Sequence, residues 1–368
     1  MQDIFEWGVA MKRSSGILLN IFLILFGFTA VFFSFEGNQK LLVSLLDDLT
    51  GGEKEFVEMS YFMGDDLTYH NGRYFSWDGE RISYLDHNSA TLWSRTFLFD
   101  EPNLKIEGGR IAVFNKEGEI YVYNSEGKEI FTIDMEDKIF DARILDGDVG
   151  VHLKNDKGET IIVYGPDGTE KLRNEYSDEI PLGYWKDEKG ELKFSVIDTA
   201  DGEILSKLYS ENEQEPIFSV VDELILKTFS YGNGSIILTD EGIKLFKSNE
   251  IKWERDFPLI KDVAVDGTDI YVLYGDNLEV LDKTGQTIKK LTNPIEYKGL
   301  HNHGRYVIMY GNRDIEALRD GEIICSNSTG GRIKGLTSQF NDLIITMEEG
   351  VSVMRIKDAE KKEQEDEQ

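Results

Sequence analysis

Residues two apart on a β-strand face the same side. The histidines of Leu300-His301-Asn302-His303-Gly304 could therefore offer two imidazoles to one metal ion. Two ligands do not make a site, and the remaining histidines, His70, His87 and His152, are scattered along the chain. The pair falls in a segment that reads as an inner strand, so the expectation is hydrogen-bonded or solvated histidines lining a central channel. The single cysteine, Cys325 in Glu-Ile-Ile-Cys-Ser, forbids an intramolecular disulfide and a thiolate cluster. It reads as a small buried hydrophobe.

Other candidates have equally plain explanations. Asp146-Gly147-Asp148 and Asn155-Asp156-Lys157-Gly158 suggest calcium loops, but Asp, Asn and Gly already have a backbone reason to sit in tight turns. Neither follows the ligand spacing of a helical calcium loop. Lys105, Arg143, Lys227, Lys298 and Lys334 fall on segments read as inner strands, where a basic channel mouth could hold an anion. Ordinary surface placement accounts for them too. No G-x-S-x-G, phosphate loop or dinucleotide fingerprint is present. The sequence nominates no catalytic, cofactor-binding or metal-binding residue.

What must position these side chains is a repeat. Beyond residue 54 the chain is a succession of short runs rich in Val, Ile, Tyr, Phe and Leu, separated by Gly, Asp and Asn turns. The clearest unit runs from Ile260 to Thr292 as four strands and three turns; Tyr297–Asn327 and Asn103–Ile133 repeat it. Inner strands are expected near Asp66, Asn103, Ile139, Ile180, Glu223, Ile260, Tyr297 and Ile333, spaced by 36–43 residues. That is the period of propeller blades. The last unit lacks its outer strand, and a spare strand, Glu55–Phe62, precedes the first. The expected fold is therefore an all-β, eight-bladed β-propeller over residues 55–357, closed by the N-terminal strand; seven blades are the alternative. The turn at Asp198–Gly202 is assigned to the middle of blade 4.

The turns Tyr123–Ile130, Tyr164–Lys171, Ile197–Leu205 and Leu281–Ile288 share one pattern: an aromatic or aliphatic residue, often Asp or Asn, two residues, Gly, and a return strand. This resembles the repeat of pyrroloquinoline-quinone-like propellers, whose fold is typically eight-bladed. The layout is also similar to a family of bacterial membrane-anchored propellers of unknown function. The resemblance implies fold and topology but no activity. The quinone enzymes use a vicinal disulfide, which one cysteine cannot form. The five tryptophans (Trp7, Trp77, Trp93, Trp185, Trp253) do not recur at one blade position as a docking girdle would. Trp93 and Trp253 fall in outer strands and are expected between blades. No cofactor is expected.

Residues 16–35 contain no charge and would span about 30 Å as a helix, the thickness of a bilayer core. The bulky end Val31-Phe32-Phe33-Ser34-Phe35 does not suit a signal-peptide cleavage site. The expectation is a single uncleaved transmembrane helix. Lys12 and Arg13 place a short cytoplasmic tail, 1–15, inside and the propeller outside. Residues 36–54 read as a juxtamembrane amphipathic helix and linker, and 358–368 as a charged, disordered tail. The formal charge of −29 argues against nucleic acid and anionic lipid as partners. The reading is a membrane-tethered, extracytoplasmic, non-catalytic interaction or scaffold module, whose partner is another envelope or membrane protein. The alternatives are an enzyme acting on an envelope polymer, or a ligand sensor with a membrane partner.

Overall fold

A computed structural model of the chain describes residues 53–199, 202–292 and 296–359. Glu55–Lys357 form one compact unit. Of the other unit, Glu53, Lys54, Asp358 and Ala359 are described, and there Lys54 Nζ meets Asp358 Oδ1 at 2.5 Å. The expected tail, transmembrane helix and juxtamembrane helix lie outside the described residues, as does nearly all of the C-terminal tail. Among the described residues no helix is long and apolar enough to cross a membrane.

The compact unit is an eight-bladed β-propeller. Its 32 strands form eight four-stranded sheets, seven of them built from consecutive strands. The inner strands begin at Leu67, Asn103, Lys138, Glu179, Ile225, Ile260, Tyr297 and Ile333, each within two residues of expectation. The turn after Asp198 joins the second and third strands of blade 4, as assigned. Blade 8 is the composite one: Lys54–Met63 pairs with Gly350–Asp358, followed inward by Asp342–Met347 and Ile333–Gln339. The hydrogen bonds Gly64 N to Glu349 O and Ala359 N to Glu53 O set that outermost pair antiparallel. Closure removes the open sheet edges that a linear array would leave.

The alternating pattern of each strand buries one residue set in the seam toward the preceding blade and the other in the seam toward the following one. Eight apolar clusters result, one for each seam. The closing seam joins Phe62, Ile344 and Val351 of blade 8 to Leu67 and Tyr74 of blade 1, with Phe62 stacked on Tyr74 at 4.1 Å. Such burial is the main favourable term, about 25 cal/mol per Å² of apolar surface.

Outer strands add a second tie. Trp93 reaches from blade 1 to the last turn of blade 2, where its Nε1–H donates to Ser125 O at 3.1 Å. Trp253 does the same from blade 5 to blade 6, donating to Lys283 O at 3.0 Å. Each indole lies against a glycine, Gly127 or Gly285, with φ of +75° and +76°; a Cβ there would sit 2.8 Å from the ring. Glycine is thus needed twice over, for the left-handed backbone and for the close approach. Trp93 and Trp253 thus pack between blades from their outer strands, as expected, while Trp77 and Trp185 stand on other strands. Phe131 lies against Gly168 in the same way. The position is set by the irregularity in its own outer strand, not by residue type. Cys325 follows the outer-strand irregularity in blade 7, as Trp93 and Trp253 do in theirs, and is half-buried against the seam with blade 8. Blade 8 has no third-to-fourth turn to dock on, because its outermost strand comes from the other end of the domain.

Candidate functional site

All inner strands run in the same direction, so the propeller has one face where they begin, here the upper, and one where they end, the lower. The lower end of the axis carries the histidines. His301 and His303 stand on the inner strand of blade 7. Both face blade 8 and meet the same hydroxyl: His301 Nε2 lies 2.8 Å and His303 Nδ1 2.9 Å from Ser338 Oγ. Serine can donate to one imidazole and accept from the other, which suits two neutral rings. Burial, reinforced by the neighbouring His303, lowers His301 to about 4. Burial also lowers His303, against the pull of Asp342 and a hydrogen bond with the Asn341 backbone. Between the histidines, the Asn302 amide donates to Val265 O of blade 6 at 3.0 Å. On the far side of blade 8, Gln339 Oε1 accepts from Asn71 N at 3.0 Å. Side chains thus tie the lower ends of the inner strands of blades 6, 7, 8 and 1. The two ring nitrogens converge on one hydroxyl. Among the described residues no group of three His, Cys, Asp or Glu could hold a metal.

Most of the other residues singled out by sequence are partnered within the fold. Asp148 sits between Lys171 at 2.8 Å and Lys186 at 2.9 Å. Asn155 Oδ1 accepts from Lys157 N, an ordinary turn bond. Arg143 bonds Asp141 at 2.7 Å and lies over the Tyr184 ring. Lys105 approaches the same aspartate at 3.9 Å, and Lys227 lies over the Phe229 ring. His152 bonds Glu159.

The upper end differs. In blades 3 to 8 the inner strand carries a β-bulge near its start, leaving one residue without a partner on the second strand. The extra residue twists the strand and re-aims its side chain. In each case it follows a residue seated in the seam or at its margin, such as Ile139, Ile225, Tyr297 or Ile333. Blades 1 and 2 pair without this irregularity. The bulge residues are Phe140, Leu182 and Leu226 in blades 3 to 5, and Lys261, Lys298 and Lys334 in blades 6 to 8. All six are exposed, Phe140 by 65%, Leu226 by 48% and Leu182 by 37%. They form a collar around the axis, apolar over one arc and basic over the next. Lys298 and Lys334 were among the basic residues picked out by sequence; Lys261 and the apolar three were not. The available signal was the repeated triplet of an apolar anchor, a variable residue, then Asp, Gly or Lys, as in Ile260-Lys261-Asp262 and Tyr297-Lys298-Gly299.

More large apolar side chains stand on the same face. Leu98 and Leu259, in connections between blades, are almost fully exposed, and Met63 nearly so. Exposed apolar residues recur elsewhere too, for example Ile130 and Ile288 on outer strands and Phe340 on a lower hairpin. On the outer strands they fall one per blade, at Leu92, Ile130, Ile251, Ile288 and Ile323.

Fold and surface together define a closed, eight-bladed propeller with one apolar-and-basic axial face. Residues 63–356 match DUF5711, a family of unknown function, and the chain belongs to that family. No curated protein matches its sequence. Among solved structures, BamB from Moraxella catarrhalis is similar at 12% identity and a TM-score of 0.59, over 82% of this chain and 99% of that one. Sqt1 from Saccharomyces cerevisiae is similar at 10% identity and 0.54, over 84% and 99%. At these identities the likeness is one of fold.

Proposed function

We propose that this chain is a membrane-tethered interaction module, held by residues 16–35 with its N-terminus in the cytoplasm and its propeller on the extracytoplasmic side. Its upper face docks another envelope or membrane protein, and the module performs no chemistry of its own. The observation that carries this reading is the collar: six exposed side chains at equivalent positions, presented by a rigid closed ring. A cluster of exposed apolar residues around a fixed axis costs solubility unless something covers it. The uncharged stretch 16–35 and the Lys12-Arg13 pair support the tether and its orientation.

The test places a photo-crosslinking residue at Leu182 in the full-length chain and recovers it from membranes. A discrete partner band is expected, and it should disappear when the probe is moved to Lys189, exposed on the lower hairpin of the same blade. In the same cells, Asp167→Cys on a Cys325→Ser background should react with a membrane-impermeant maleimide without lysis, or in spheroplasts if an outer membrane is present. Labelling only after lysis would place the propeller in the cytoplasm and overturn the reading. Equal cross-linking from both positions would overturn the role of the upper face.

A further inference from the structure

We propose that the collar binds a protein segment combining apolar side chains with acidic ones, its apolar part on Phe140, Leu182 and Leu226 and its carboxylates on Lys261, Lys298 and Lys334. The inference rests on the upper face being the docking face and names the chemistry of what docks there.

Charge is the first argument. The chain as a whole is strongly acidic, with 69 Asp and Glu against 40 Lys and Arg, yet three consecutive blades place lysine at the one bulge position the fold leaves exposed at the axis. Their present contacts leave them open to an incoming carboxylate. Lys298 has no partner among the described residues. Lys261 Nζ donates to the Tyr297 backbone carbonyl at 3.0 Å, a contact that neutralises no charge. Lys334 pairs with Asp66 at 2.9 Å, both side chains being largely solvated. Exposed pairs of that kind are worth only about 0.2–1 kcal/mol and exchange partners readily.

Direction is the second argument. The connections leading into the apolar blades carry Asp137, Asp178 and Asp222, whereas those leading into blades 7 and 8 carry Glu296 and Arg332, which cancel and leave the three lysines to set the sign of that arc. An acidic group is repelled from the first arc and attracted to the second, which fixes the orientation of a bound segment as complementary potentials do at protein interfaces. The apolar arc supplies the contact area, and the lysine arc supplies the register.

The other surfaces that could supply negative charge fit less well. An anionic bilayer or a nucleic acid would meet three lysines set in a strongly acidic protein, far from the broad basic footprint such polyanions need. A second copy of this chain would bring its own net negative charge.

The test uses the full-length chain in detergent and three fluorescent peptides: an amphipathic Glu/Leu peptide, its Lys/Leu counterpart, and a Glu/Ser peptide without apolar residues. The Glu/Leu peptide should bind at least about tenfold more tightly than either control, more weakly in high salt. Lys261→Glu/Lys298→Glu/Lys334→Glu should weaken it by about tenfold or more, and so should Leu182→Ser/Leu226→Ser, with the circular-dichroism melt of both variants unchanged. Preference for the Lys/Leu peptide, or affinity unaffected by the triple charge reversal, would overturn the proposal. So would binding of phosphatidylglycerol vesicles with the same dependence on the lysines, or self-association through the collar. If the Leu182 cross-link to a membrane partner survives the charge reversal, this inference falls while the docking reading stands. If the Glu/Leu peptide binds but no partner cross-links, the chemistry holds and the membrane-protein partner falls.

Discussion

The two ends of the propeller axis are built from the same eight strands and behave oppositely. At the lower end, polar side chains are turned into the seams and bonded to one another: His301 and His303 share Ser338, Asn302 reaches blade 6, and Gln339 reaches blade 1. At the upper end, a bulge in six blades turns a side chain out of the ladder, and what it presents is apolar in one arc and basic in the next. The residues that look most chemical by type are thus part of the scaffold. The ones open to a partner are a phenylalanine, two leucines and three lysines with no chemical reputation. A histidine pair buried in a seam must satisfy its nitrogens inside the protein, because leaving a buried polar group unpaired costs about 1–3 kcal/mol. A bulge residue at a solvated rim carries no such requirement.

The contrast presupposes a closed ring, so the largest effect is expected from opening it. A chain beginning at Glu55 should melt with the full-length protein, whereas one beginning at Asp65 should melt at least about 10 °C lower, because it loses Phe62 and the outermost strand of blade 8. Equal melting temperatures by calorimetry would mean that Lys54–Met63 does not close blade 8.

The next test separates the ends by pH. His301 is lowered from 6.5 to about 4 in the fold, so the unfolded chain takes up a proton that the native state refuses. Its contribution is fully present above pH 6.5 and is lost as pH falls toward 4. The loss is about 3 kcal/mol over that window. Urea titrations across it should show this slope in the wild type, and His301→Gln should remove most of it. Glu279 titrates in a separate window. Burial would raise it, but bonds from Tyr274, Lys290 and Thr287 bring it down to about 2, so its stabilisation is present above pH 4.5 and lost only below. A slope between pH 6.5 and 4 that is unchanged in His301→Gln would show that this lower-end ring is not held neutral by the fold.

The smallest effect is expected at the upper end. Leu182→Ser/Leu226→Ser should change stability by no more than about 0.5 kcal/mol in the same titrations, since both side chains are exposed and no blade seam depends on them. A larger loss would show the collar to be part of the scaffold and would erase the difference between the two ends.

Much of this was legible in the sequence. Repeats of alternating apolar residues with Gly, Asp and Asn turns define blades, because a strand that buries both faces between neighbours needs apolar residues on both and a turn at each end. The missing fourth strand at Ile333–Lys357 and the spare strand at Glu55–Phe62 announced the closure for the same reason. That His301 and His303 face one side followed from the period of a strand. What they face did not: blade 8 stands next to blade 7 in space as well as in sequence, but only the twist of the sheets brings Ser338 between the two rings. The bulges left only the repeated triplet as a trace. A bulge shifts the strand's period by one residue, and nothing in Ile-Lys-Asp or Ile-Phe-Asp states which residue of the three will lose its partner. The sequence by itself favoured eight blades over seven and indicated the way the ring closes. The tertiary structure decided which side chains the ring spends on its own seams and which it leaves turned outward at the axis, because that choice depends on pairing register across neighbouring strands rather than on residue type.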